Sequence, residues 1–176
     1  MKKNTLLLLS ALIATSFITG CAVRNPYISP TSGDTAKIRI INDSNGTTFI
    51  HATSKCERSS ARAIAGFSKF LSTDTSRAGM YGSQGYENNS DVIERIVEAD
   101  KETNFFVANQ GAAGLLQTSC FVEAAFTPKK DKQYEMRFTA RLGVCNVQVN
   151  NLSEVDGKIL KEKIDELHPV KKECDK

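Results

Sequence analysis

The chain has no tryptophan, two histidines, four prolines and no CxxC pair, and each shortage closes a line of chemistry. With His51 and His168 the only imidazoles, a nucleophilic triad must recruit one of them with a serine and an acid. His51 falls in an apolar candidate strand and His168 precedes Pro169 in a polar tail, so both read as structural side chains. There is no GxSxG elbow, no HExxH helix and no Walker-type phosphate loop. Acid pairs such as Glu94 with Glu98 read as a solvated face. The long cysteine spacings give none of the short ligand pairs of a zinc site. No catalytic residue, no metal and no cofactor is expected, and the chain reads as a non-enzyme. A basic block able to neutralise a string of phosphates is missing too: Lys129, Lys130 and Lys132 are interrupted by Asp131 and read as a solvated turn, which argues against nucleic acid as a partner.

The apolar run near the start is also short. Residues Leu6 to Ile18 are broken by Ser10, Thr15 and Ser16, whereas a spanning helix needs about 20 apolar residues. With Lys2 and Lys3 in front and small residues behind, this is the pattern of an export signal.

The residues that close that signal, Ile18-Thr19-Gly20-Cys21, resemble the lipobox of bacterial lipoproteins. The resemblance implies removal of residues 1–20, a diacylglycerol group on the Cys21 thiol and an acyl chain on the new amino terminus. Three chains make membrane attachment effectively permanent, where one gives only marginal binding. In this class an aspartate after the lipidated cysteine retains the protein in the inner membrane. Ala22 stands there instead, so the expected address is the outer membrane, facing the periplasm.

Losing Lys2 and Lys3 with the signal leaves the mature chain close to electrical neutrality. Cys56, Cys120, Cys145 and Cys174 remain, an even number in a chain sent to an oxidising compartment, where disulfides are the default. If Cys120 and Cys145 lie on the outer strands of a three-strand meander, two strand spacings separate them by about 9.5 Å. A disulfide accepts Cα separations of about 4.4 to 6.8 Å. On that register the preferred pairs are Cys56–Cys120 and Cys145–Cys174.

Residues 21–35 hold two of the four prolines and no periodicity, and read as a flexible tether. The remaining 36–176 suffice for one core. Strand signals dominate it. Alternation from Lys37 to Ile41, the Asn45-Gly46 turn and Thr48 to Thr53 predict a hairpin. Val92–Val97 and Thr103–Ala108 predict a second pair of strands around the Glu98–Glu102 turn. Cys120–Phe126 and Gln133–Ala140, joined by a charged turn, predict a third pair, and Gly143 leads into a strand from Val144 to Val149. The fold class expected is all-β, mainly antiparallel: a small β-sandwich. Ser60–Leu71 fits either a short amphipathic helix or another strand and leans weakly to the helix, and Leu152–Leu167 shows helical spacing but also the hairpin-forming Asp156-Gly157.

The stretch Cys120 to Val149, with its cysteine, Phe-Thr-Pro turn, Tyr-initiated strand and second cysteine, is similar to the C-terminal half of a loose group of proteobacterial envelope lipoproteins. That group has no agreed activity, so the resemblance implies fold and location only. Phe126, Pro128 and Tyr134 read as structural, with the two rings meeting across a hairpin.

One segment stands out. Residues 77–89 are rich in Gly, Tyr, Asn and Ser, a composition that presents rings at low entropic cost and hydrogen-bonds adaptably. Arg77, Met80, Tyr81 and Tyr86 are the candidate binding residues, for an envelope protein or a glycan. The expected role is a lipid-anchored binding or scaffold module. The alternatives are a periplasmic inhibitor of a lytic enzyme such as lysozyme, although Ser83-Gln84-Gly85-Tyr86 does not reproduce the Ser-Gly-x-x-Tyr type of motif, and a secretion-system lipoprotein with a transthyretin-like sandwich.

Overall fold

The computed structural model describes residues 26–55, 58–68, 75–113, 116–141 and 143–171. Residues 1–20, expected from the sequence to be an export signal, and Cys21, Cys56 and Cys174 lie outside the described residues. Among the described residues nine strands run in order: β1 (Thr35–Asn42), β2 (Thr47–Thr53), β3 (Arg62–Phe67), β4 (Val92–Glu98), β5 (Thr103–Ala113), β6 (Leu116–Phe126), β7 (Gln133–Arg141), β8 (Val144–Val155) and β9 (Lys158–Lys163). They form two sheets, β4-β1-β7-β8-β9 and β3-β2-β5-β6. Every pairing is antiparallel except β1 with β7. This is the β-sandwich that the alternation predicts.

The core lies between the sheets because side chains alternate across each strand. Ile38 and Ile40 from β1, Tyr134, Met136 and Phe138 from β7, and Ile93 from β4 meet Ile50, Phe105, Val107 and Phe126 from the other sheet. Phe105 stacks on Phe126 with ring centroids 5.7 Å apart, and Phe126 meets Tyr134 edge-on at 5.1 Å. The Phe126–Tyr134 contact therefore crosses from sheet to sheet instead of running along a hairpin.

The three hairpins read from the sequence are corrected by this topology. β1 and β2, β4 and β5, and β6 and β7 each fall in opposite sheets. Turn residues reverse the chain equally well along one sheet or across the gap to the next. The Asn45-Gly46 turn makes the crossing against the backbone of β5. Gly46 has φ 126°, and a Cβ there would lie 2.3 Å from the Gln110 carbonyl oxygen. The hairpins that form are β2–β3, β5–β6, β7–β8 and β8–β9. Asp156 and Gly157 supply the two positive φ values of the last one, 52° and 72°. Within Ser60–Leu71 the weak helix gives way to β3, because Ile64 and Phe67 are buried against β2 and its neighbours; residues 69–71 lie outside the described residues.

The same topology overturns the disulfide pairing. β6 and β8 are not outer strands of one meander but face each other across the sandwich, and Cys120 is bonded to Cys145 with Cα atoms 5.7 Å apart. Both proposed pairs, Cys56–Cys120 and Cys145–Cys174, are excluded by that bond.

The tether is also shorter than expected. Pro26 bridges to Ala63, the Tyr27 N–H donates to the Ala63 carbonyl at 2.9 Å, and the Tyr27 hydroxyl donates to the Ile96 carbonyl at 3.1 Å. Burial, with a smaller push from Glu98, raises the Tyr27 pKa to about 12. Residues from Pro26 onward thus belong to the domain.

Candidate contact surface over the five-stranded sheet

Register places three charged residues side by side on the outer face of the five-stranded sheet. Arg39 on the central β1 is opposite Glu94 of β4 and Glu135 of β7. Alternation alone assigns this face to solvent, yet all three are 1% exposed. Burying such charges is costly unless they are paired and hydrogen-bonded. Arg39 donates to Glu94 Oε1 from Nε at 3.0 Å and from Nη2 at 2.8 Å. Its Nη1 lies 3.6 Å from Glu135 Oε2, and Lys161 Nζ reaches Glu135 Oε1 at 2.6 Å.

Residues 75–91 exclude the water. This segment folds over the face as a cap whose donors converge on Glu94: the Ala78 N–H at 2.8 Å, the Met80 N–H at 3.4 Å, and the Ser83 hydroxyl at 2.7 Å from one oxygen and 2.9 Å from the other. Burial pushes the Glu94 carboxyl up, but Ser83, Ala78 and Arg39 together outweigh it and hold the pKa below its ordinary value.

Arg77 organises the cap from within. Its guanidinium donates to the carbonyls of Thr75, Ser76, Val92, Tyr86 and Asn89. Met80 is 4% exposed, covered as an apolar plug. The Tyr86 ring lies over the Arg39 guanidinium, 4.8 Å from its carbon. Gly82 (φ 70°) passes so near Ile159 of β9 that a Cβ would sit 2.5 Å from its Cδ1.

Of the four residues picked out by composition, three are engaged with the domain and one faces outward. Tyr81 as a whole residue is 37% exposed while its backbone is held on both sides. Its N–H donates to Gln133 Oε1 at 2.8 Å, and its carbonyl accepts from Arg39 Nη2 at 2.6 Å. Arg39, Glu94, Glu135, Gln133 and Ser83 carry the surface and were not picked out. The only local sign is an arginine between the apolar residues of a central strand. Glu94 is not part of a solvated face, and Glu98 instead accepts from Ser54 at 2.6 Å.

The histidines lie elsewhere. His51 sits half-buried on β2, where burial lowers its pKa. His168 pairs its backbone with Ala125, and its Nε2 lies 3.3 Å from Glu102. A cleft of about 600 Å³ opens where residues 26–32 cross the strand ends, with Thr53, Ser54, Ser60 and Thr103 among the residues that line it. Among the described residues no group of three His, Cys, Asp or Glu side chains is placed to hold a metal ion, and no helix is long and apolar enough to cross a membrane. Comparison with family models, with curated proteins and with solved structures finds no match to this chain.

Proposed function

We propose that this chain is a lipid-anchored envelope protein that works by binding, with the capped face of the five-stranded sheet as its contact surface and Tyr81 as the central ring. The observation that carries the reading is the two-sided grip on the backbone of an exposed tyrosine, Tyr81. A loop ordered before contact loses less entropy on binding, and an aromatic ring offers a large area for few rotatable bonds. The lipobox resemblance around Cys21 supports attachment to a membrane, and Ala22 supports the outer one. An envelope protein or glycan is the partner class in that compartment.

The test is photo-cross-linking in living cells with a reactive residue at position 81, followed by mass spectrometry, comparing the native background with Gln133→Ala. A discrete adduct that weakens when Gln133 is removed is the expected result. A Tyr81→Ala chain that keeps every partner of the native one would reject the surface. Retention of membrane fractionation by Cys21→Ser would reject the anchor separately.

A further inference from the structure

The sandwich has four sheet edges, and three of them are closed in distinct ways. Along β3, Pro26 and Tyr27 lie against Ala63. Along β4, the Val92 carbonyl is met by Arg77, the Glu94 N–H by the Ser76 carbonyl, and the Ile96 carbonyl by the Tyr27 hydroxyl. β9 is exposed along its length and carries Lys158, Lys161 and Lys163, the charge that natural edges use against pairing.

The fourth edge differs. β6 borders the four-stranded sheet, and the upper part of β8 borders the other sheet directly above it, the two stapled by Cys120–Cys145. β9 covers β8 only from Asn150 onward, and the Ile164 N–H to Val149 carbonyl bond ends that cover. On β6 the His168 segment takes both backbone groups of Ala125 and then leaves, with Val170 turning onto the outer face against Phe106. By alternation, the backbone groups of Ser119, Phe121 and Glu123 point the same way as those of Ala125. No described residue bonds to them. The stretches Gln117–Val122 and Gly143–Val149 contain no charged residue and no proline. Phe121 is 52% and Val144 70% exposed.

We infer that this corner is a strand-pairing interface for a second copy of the same chain, β6 against β6 antiparallel about Phe121, with the two β8 edges brought alongside. Charge selects this occupant. Of the three open positions 119, 121 and 123, Glu123 alone is ionised; it is paired with Arg58 of its own chain, whose guanidinium also lies over the Phe121 ring, and would face the neutral Ser119 of the other copy. On β8, pairing about Asn146 sets Val144 opposite Gln148. No like charges meet in either ladder, which is the condition for direct cross-strand neighbours. The open span is also self-limiting, since the His168 segment stops the ladder at Ala125 on each copy. This surface is remote in sequence from the cap and independent of the reading of Tyr81.

A photoreactive residue placed in the full-length chain at position 121 or 144, in the bacterium, reads the interface directly. The expected product is a homodimeric adduct whose cross-linked peptides both come from β6 or β8, with position 160 on β9 giving about tenfold less. Val144→Lys and, separately, Ser119→Lys restore the missing edge charge on exposed positions. Each should reduce the adduct about tenfold or more, with the Cys120–Cys145 bond and the circular dichroism spectrum unchanged. An adduct with a different protein, equal labelling from position 160, no adduct, or insensitivity to both lysines would overturn the inference.

Discussion

Arg39 and Glu94 are register partners on adjacent strands, joined by two guanidinium nitrogens to one carboxylate oxygen, and each is 1% exposed although it stands on the outside of a sheet. The cap and the sheet are therefore one unit. Cap donors satisfy Glu94, Arg39 holds the cap backbone at Tyr81, and removal of either partner strands the other in a dry site.

Substitution of Arg39 by methionine leaves Glu94 buried without its cation, while Glu135 keeps Lys161. The expected loss is about 3 to 5 kcal/mol. Glu94→Gln keeps the shape and some of the bonds, and should cost about 1 to 3 kcal/mol. Urea unfolding of both variants checks the order; a methionine variant as stable as the native chain would show that the charges are not confined as described.

Acid should loosen the cap. The folded Glu94 pKa lies below its unfolded value, so its contribution is fully present above the unfolded pKa and is lost as pH falls through the folded one. His51, with a folded pKa lowered by burial, acts in the same direction from a higher pH. Thermal midpoints followed downward from neutrality should fall, and the fall below about pH 5 should be shallower in Glu94→Gln. Parallel curves for the two chains would contradict this.

Alkali provides a separate probe of residues 26–35. Burial raises the Tyr27 pKa to about 12, so its stabilising contribution is complete below the unfolded value and is lost as pH rises through about 12. Burial raises the Tyr134 pKa as well, so ultraviolet titration should show late-ionising tyrosines and lose one of them in Tyr27→Phe. Ionisation of Tyr27 with the ordinary tyrosines would return this stretch to a free tether.

Non-reducing peptide mapping should recover Cys120 joined to Cys145. Replacing both by serine opens a 25-residue loop and should cost about 3 kcal/mol. If Cys56 and Cys174 also oxidise, that bond leaves them only each other among these four cysteines, and the same map reads it.

Gly46→Ala should destabilise by well over 1 kcal/mol, because the methyl group meets the β5 backbone and φ is positive. Gly33→Ala, also at positive φ but with open space around it, should cost less. Equal melting points for the two would indicate that the sheet crossing at Asn45-Gly46 is looser than its packing.

Most of the strands were legible in the sequence, because period-two alternation in β1, β7 and β8 is written residue by residue and needs no partner to be read; β3, whose segment fitted a weak helix, and β9, whose segment showed helical spacing beside a hairpin turn, were not. So was the turn at Asp156-Gly157, where local chemistry demands positive φ. The class of fold followed from those local signals.

Which sheet each strand joins was decided only in three dimensions. A tight turn such as Asn45-Gly46 has the same backbone needs whether the chain folds back beside itself or crosses to the opposite layer, and the packing against Gln110 selects the crossing. Sheet membership in turn fixed the cysteine partner, since Cys120 meets Cys145 only when β6 and β8 face each other. The burial of Arg39 and Glu94 had the same origin: alternation tells a side chain to leave the core, but only a distant segment lying over that face determines whether it finds water there.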